Sequence, residues 1–328
     1  MNAADRRPTV SVVIATYRRE RLLCDTIRDV LAQDYAPFEV LVIDQSLTHE
    51  PETTEFLAAQ ASRIRYFRLS VPSLPAARNF GLRESQGDLI VFVDDDVEIP
   101  SKEFLRAHVS ALSRPNVRAV GGRITIPGVP DRPGLDPRHE DRLLGWMYTN
   151  FSYTEPVEVA TVYGANMSFH REALLEAGGF DENYSNPAYN EDVDVSIRLR
   201  ARGYTILFEP RAHLIHHTYG VGGCDNRYIH GKTREAQVYY RGYWRNYVYF
   251  LIKNIPFRPA LRVLWYLYRS HVMNWPYLKV GLRYVMQRHW VIACATWDAV
   301  VLYRRFKQRQ ASYSTIGGTG AYGRAAGL

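Results

Sequence analysis

Leu89-Ile90-Val91-Phe92-Val93-Asp94-Asp95-Asp96 is the stretch on which the reading of this chain turns. Five apolar residues in a row, most of them β-branched, predict a buried strand. Nothing in folding requires the three carboxylates that follow, and their mutual repulsion is a cost unless a cation neutralises them. A strand ending in acids within an alternating α/β pattern places them at the carboxyl edge of the sheet, where such folds bind ligands. A second acidic pair, Glu191-Asp192, opens a predicted helix, and His213, His216 and His217 follow it. Together these residues read as a divalent-metal site for a phosphorylated substrate, against the simpler reading of Asp94 to Asp96 as a solvated turn.

Upstream of the acids, strand and helix patterns alternate. Val10 to Ala15 is a β-branched run that predicts a buried strand, and Leu22, Leu23, Ile27, Val30 and Leu31 then share one helical face. A strand at Val40 to Ile43, a helix around Glu52 to Ala61, a strand at Ile64 to Phe67 and a helix around Ala76 to Glu84 lead into Leu89. This order implies a doubly wound, mainly parallel sheet with its crevice at the carboxyl ends of the strands. Thr16 and Asp44 end the first two strands on the same edge as Asp94. No Gly-x-Gly-x-x-Gly turn follows the first strand, and there is no Walker-type Gly-x-x-x-x-Gly-Lys-Ser/Thr loop, which argues against a dinucleotide dehydrogenase and a P-loop nucleotidase.

At 328 residues, 46% hydrophobic and 13% aromatic, the chain has ample material for a core and does not read as disordered. Cys24, Cys224 and Cys294 are widely spaced, which suggests neither a disulfide framework nor a zinc site and fits a reducing compartment. Met1 to Thr9 is polar and predicts no signal region. The longest apolar stretch, Trp290 to Tyr303, is 14 residues and contains Asp298, short of the roughly 20 that a membrane span needs. Charge is lopsided. Residues 1–225 sum to −8, whereas residues 226–310 sum to +14 and hold five of the six tryptophans. The asymmetry suggests an acidic catalytic body joined to a part that meets something anionic.

Seven blocks in order resemble glycosyltransferase family 2, of the GT-A fold. They are Val10 to Arg18, Val40 to Ser46, Ala76-Ala77-Arg78-Asn79-Phe80-Gly81, Phe92 to Asp96, Gly164-Ala165-Asn166-Met167, Gly178 to Glu182 and Asn190-Glu191-Asp192-Val193-Asp194. The resemblance covers roughly residues 8–220, and it departs at Gln45, where a second acid is frequent. It implies a GT-A-type α/β fold and a nucleotide-sugar-binding catalytic domain over residues 1–225. The implied reaction is attack of an acceptor hydroxyl on the anomeric carbon of a nucleotide diphosphate sugar, with inversion, by a transferase of the hexosyl or deoxyhexosyl class. By the match, Asp94 and Asp96 of the Asp-x-Asp motif and His216 hold Mg²⁺ or Mn²⁺. Thr16, Asp44, Arg78, Asp94, Asp95 and Gly164 line the donor site. Asp192 is the general base, and Glu191 supports it. From the residues alone, a carboxylate at a helix start also suits the helix dipole, Arg78 reads equally as a surface cation, and an isolated histidine is usually solvated. Asp194 reads as a helix-surface acid. The loop Pro127 to Pro137 reads as a cover over the donor or as an inert insertion.

Residues 226–310 predict basic amphipathic helices, such as Tyr239 to Lys253, Leu261 to Met273 and Tyr277 to Met286, in which arginine alternates with aromatics. That pattern suits an anionic membrane surface; plain packing, oligomer contact and nucleic-acid binding are the alternatives, the last being disfavoured. Residues 311–328 read as a flexible tail. The expected protein is thus a cytoplasmic enzyme, peripheral on the inner face of the cell membrane, acting on a glycan or lipid-linked acceptor in polysaccharide or cell-envelope biosynthesis. A sugar-phosphate nucleotidyltransferase and a non-catalytic membrane- or nucleic-acid-binding protein are the competing readings.

Overall fold

Val10–Thr16 (β1) lies between Phe38–Asp44 (β2) and Leu89–Val93 (β4), parallel to both, and Arg65–Arg68 (β3) extends the sheet beyond β2. The computed structural model describes residues 7–129, 154–184, 187–217, 233–272 and 281–315. Helices Arg21–Leu31 (α1), Pro51–Ala59 (α2) and Leu74–Glu84 (α3) make the crossovers between these parallel strands. β4 then pairs antiparallel with Asn166–His170 (β8), which pairs antiparallel with Val117–Thr125 (β6); β6 runs parallel to Thr205–His216 (β9). The short strands Val97–Glu98 (β5) and Val157–Glu158 (β7) both join β9 antiparallel. The sheet order is β3-β2-β1-β4-β8-β6-β9-β5. The expected α/β class, with parallel strands and GT-A-like arrangement, is what the chain adopts.

Side-chain alternation sends successive residues of each strand to opposite faces. Val12, Ile14, Val40, Val42, Val91 and Val93 bury one face against Leu23, Ile27 and Val30 of α1 and against Phe104–Leu112 (α4). Val13, Leu41, Ile43, Ile90 and Phe92 bury the other, with Ala77 and Leu82 of α3, Leu174 of Arg171–Glu176 (α5), and Val195 and Leu199 of Glu191–Arg200 (α6). Phe92 meets both Phe169 and Phe180 edge-on at 6.1 and 5.2 Å, the geometry aromatic quadrupoles favour. Gly203 ends the turn after α6 at φ +82°, where a side chain would be strained.

The chain divides into two units. One comprises Met1–Glu182 and Val195–Gly223, and contains the sheet; the other comprises Asn183–Asp194 and Cys224–Leu328. In the second unit, Arg234–Asn254 (α7), Phe257–His271 (α8) and Leu282–Thr315 (α9) are the described helices. Thr233 caps α7 by accepting from the Ala236 N–H at 3.2 Å. The aromatics of α7 pack inside this unit: Tyr240, Tyr243, Trp244, Tyr249 and Phe250 are buried, and Trp244 donates to Thr296 of α9. For them the plain-packing alternative holds. α9 continues to Thr315, so residues 311–315 are helical; residues 316–328 of the expected tail, and 130–137 of the expected donor loop, lie outside the described residues. Among the described residues, no helix is long and apolar enough to cross a membrane.

A buried polar network ties α4 to β8. Asn166 donates its amide to the carbonyls of Arg123 and Ala212, so its Oδ1 faces His108 Nε2 at 3.0 Å, and that nitrogen carries the proton. His108 Nδ1 therefore accepts from Ser168 at 2.8 Å. Burial lowers the His108 pKa from 6.5 to about 4. A folded state that resists protonation is stabilised, relative to the unfolded chain, only while the unfolded histidine is also neutral. Stability contributed here is thus complete above pH 6.5 and lost as pH falls toward 4, a total of roughly 3 kcal/mol. We expect His108→Gln to be less stable at pH 7 yet to show a flatter loss of stability between those pH values, measured by urea unfolding. An unchanged slope would assign the acid sensitivity to other groups.

Candidate functional site

β4 ends at Val93, and Asp94, Asp95 and Asp96 form the turn into β5. The register Val97↔His216 brings the end of β9 alongside, fixed further by the His217 N–H donating to the Asp96 carbonyl at 2.9 Å. His216 Nε2 consequently lies 3.0 Å from Asp96 Oδ1 and 3.9 Å from Asp94 Oδ2. His213 turns away, its Nε2 2.9 Å from Thr125 Oγ1, and His217 pairs with Glu98. Of the three histidines, His216 is the one that lies against Asp94 and Asp96.

Two arginines and the His216 imidazole face the three acids. Arg19, just after β1, places Nε 3.3 Å from Asp95 and Nη2 3.0 Å from Asp96. Arg78, on α3, sets Nη2 3.2 Å from Asp94 and 2.9 Å from the Gly164 carbonyl. A Cβ at position 164 would lie 2.9 Å from that nitrogen, so glycine lets the guanidinium rest on the backbone. Arg78 is buried, which rules out the surface-cation reading. Burial, and then the charge of Asp96, push the Asp95 pKa up, with Arg19 opposing them. Burial alone would depress His216; its hydrogen bond to Asp96 and the charges of Asp94 and Asp96 outweigh that and raise its pKa.

Asp94, Asp96 and His216 each offer one ligand atom, and these atoms all lie within 4.8 Å of one another. Two carboxylate oxygens and an imidazole nitrogen suit a divalent cation. The buried Nδ1 of His216 has no hydrogen-bond partner, leaving Nε2 as the nitrogen directed at the acids. Asp94 remains partly accessible at 29%, so the cluster opens on the Asp94 side. The donor set fits a metal.

Thr16 and Asp44 stand level in the β1–β2 register, both buried, one and two strands over from the acids respectively. Asp44 is wholly enclosed: Oδ1 accepts from the Ser46 N–H at 2.7 Å, and Oδ2 faces His49 Nε2 at 2.7 Å and the Tyr66 hydroxyl. Burial would raise its pKa, yet the bonds from Tyr66, Ser46 and His49 hold it below the usual range, so it is ionised. His49 also contacts Glu20, and both rings line an open cleft with Leu47, Leu57, Ile64 and Arg68.

Glu191 and Asp192 belong to the second unit. They start α6 directly after Asn190, whose φ is +70°, and Asp192 Oδ1 accepts from the Val193 N–H at 2.8 Å. Glu191 is buried and Asp192 is half-buried. Asp194 is not the surface acid expected. It is fully buried, and Lys253 Nζ lies 2.7 Å from its Oδ1, with Asn254 donating at 2.9 Å and Tyr184 at 3.2 Å. The Lys253 ammonium also faces the rings of Tyr184, Tyr249 and Phe306. Arg19 and Lys253 escaped sequence reasoning. Arg19 sits beside a second arginine that looks identical in sequence, and Lys253 lies in a helix whose other basic residues are numerous.

Comparisons with known proteins agree with this geometry. The family described as Glycosyl transferase family 2 matches residues 11–178. The chain is 30% identical over 223 residues to the O-antigen biosynthesis protein RfbC of Myxococcus xanthus, covering 64% of this chain and 17% of that protein. It is 25% identical over 247 residues to the glucosyl-dolichyl phosphate glucuronosyltransferase of Haloferax volcanii, covering 73% and 75%. It also matches an uncharacterised protein, y4gI of Sinorhizobium fredii, at 28% identity. This chain spans only 24% and 17% of the lengths of y4gI and RfbC. In fold it is similar to GalNAc-T7, whose crystal structure holds UDP, GalNAc and Mn²⁺, at a TM-score of 0.53 and 19% identity over 74% of this chain and 50% of that one.

The buried Asp194–Lys253 pair gives a stability prediction. Removing one partner leaves an uncompensated buried charge, which costs about 3–5 kcal/mol, whereas removing both is far milder. Lys253→Met should therefore lose most of that amount, and adding Asp194→Asn should restore part of it, in a double-mutant cycle of urea unfolding. Additive losses would show that the two charges do not depend on each other.

Proposed function

This chain belongs to glycosyltransferase family 2, and we propose that it is a glycosyltransferase that moves a sugar, with inversion, from a nucleotide diphosphate sugar to a hydroxyl of a glycan or lipid-linked acceptor. The observation that carries this reading is the convergence of Asp94, Asp96 and His216 at the carboxyl edge of the sheet. Membership in the family favours sugar transfer over the nucleotidyltransferase alternative.

Asp94, Asp96 and His216 would hold the divalent cation, and the presence of an imidazole among the ligands favours Mn²⁺ over Mg²⁺. That ion, when bound, supplies positive charge for the leaving diphosphate. Arg19 occupies Asp96 Oδ2 and leaves Oδ1 directed at His216, so it fixes which oxygen is available to a ligand. Arg78 contributes to the donor site through Asp94 and Gly164, which it holds, and Asp95 contributes as the anchor of Arg19. Asp44 contributes to the donor site and holds His49 and Tyr66 in place. Asp192 takes the proton from the acceptor hydroxyl as the hydroxyl attacks, and Glu191 supports it electrostatically. Place in polysaccharide assembly is supported by the O-antigen biosynthesis relative, and a lipid-linked acceptor by the dolichyl phosphate named for the Haloferax one.

Two variants separate these roles. Asp192→Asn should lower turnover by roughly 10²–10⁴-fold, the usual range for loss of a general base, with the donor dissociation constant unchanged. Asp96→Ala should weaken Mn²⁺-dependent donor binding by roughly 10–100-fold. Calorimetric titration of UDP-, GDP- and dTDP-sugars, with and without Mn²⁺, reads the second effect and names the donor. Full turnover in Asp192→Asn would remove the base assignment; donor binding indifferent to Mn²⁺ would remove the metal.

A further inference from the structure

Two helix faces of the second unit are apolar and uncovered. On α8, Phe257, Leu261 and Trp265 recur every four residues and are all exposed, Trp265 at 63%. On α9, Leu282, Met286, Trp290 and Trp297 share one face, with the two tryptophans 71% and 65% exposed. The stripes meet. Tyr268 continues the α8 stripe, stacks on Trp265 with ring centroids 5.9 Å apart, and brings its hydroxyl 2.6 Å from Nε2 of His289, the neighbour of Trp290. These are not core residues left over from packing, since α7 supplies that core with its own buried aromatics.

The charge around the stripes has one sign. Arg258, Arg262 and Arg269 of α8 are exposed, and α8 contains no acid. Asp298 is the sole acid of α9, and Arg241 of α7 binds it at 2.7 Å. Arg283, Arg304, Arg305 and Lys307 of α9 are exposed. We propose that α8 and α9 form a docking face for the surface of an anionic bilayer, lying in its plane with indoles and Phe257 among the headgroups and arginines on lipid phosphates. A second copy of the chain fits worse, because it would bring the same cations face to face. A nucleic acid would use the arginines and tryptophans but gives Leu261, Leu282 and Met286 nothing to stack on.

The inference stands apart from the choice of donor, metal and base, and its test reads binding alone. The full chain is mixed with phosphatidylcholine vesicles, with or without about one third phosphatidylglycerol, and partitioning is read by sedimentation. We expect binding to the anionic vesicles, weaker by about tenfold or more on neutral ones. The variant Phe257→Ser/Trp265→Ser/Trp290→Ser should bind about tenfold or more weakly with its thermal unfolding retained, because all three positions are exposed. In the unaltered chain, brominated lipid should quench tryptophan fluorescence, a readout that needs no variant. Absence of partitioning, or binding without quenching, would overturn the proposal. So would tighter binding to single-stranded RNA than to the vesicles, or a dimer that the triple variant dissolves while vesicle binding is missing.

Discussion

Three carboxylates at the mouth of a buried strand are an electrostatic debt that the rest of the sheet must settle. Val93 is buried, Asp95 and Asp96 are nearly so, and in that setting like charges repel far more strongly than in water. Their partners come from three separate parts of the chain: Arg19 after β1, Arg78 on α3 and His216 at the end of β9. Each lies where it does for a reason of topology. β1 neighbours β4, α3 leads directly into β4, and β5, which continues from the acids, pairs with β9. A different strand order would not bring these groups together at the acids.

The same logic recurs at the start of α6. Glu191, Asp192 and Asp194 crowd the first turn, where the helix dipole favours negative charge but cannot by itself balance a fully buried carboxylate. Lys253 does so for Asp194, with Asn254 and Tyr184 taking further acceptor positions on the same oxygen. Asp194 is thereby a fixed point of the turn, and its rigidity is passed to the two acids before it.

How far this was legible depends on the range of the interaction. β1 to β4 and their crossover helices follow from short apolar runs and turn residues, which are local, and the strands and helices occur where those patterns place them. The Asp94–Asp96–His216 cluster was legible only through the order of the family's motifs, because a strand register joins residues far apart in sequence. Asp194 was misread because its helix carries charges all round, so nothing local marks the position that faces inward. Asp44 was read correctly as a strand-end acid, but its enclosure by His49 and Tyr66 depends on a loop and a neighbouring strand that periodicity does not describe. Aromatic content could not separate Trp244, which is core, from Trp265, which faces solvent; only the packing of α7 against α9 does that.

Arginine rather than lysine recurs at the points of highest constraint, and geometry explains the choice. Arg19 reaches two different carboxylates with two different nitrogens, and Arg78 reaches a carboxylate and a carbonyl. A planar fork with five donors can do this from a fixed position, whereas an ammonium is a compact point charge. Arg288 shows the other face of the same chemistry, its guanidinium lying 3.7 Å from the centroid of the buried Tyr240 ring. Lys253, the exception, meets a carboxylate oxygen and faces aromatic rings, a place where a point charge suffices. It follows that Arg19→Lys is not a conservative change: one ammonium cannot span Asp95 and Asp96 as the two guanidinium nitrogens do, so one of the two buried acids would lose its contact with position 19 while the net charge of the chain stayed the same.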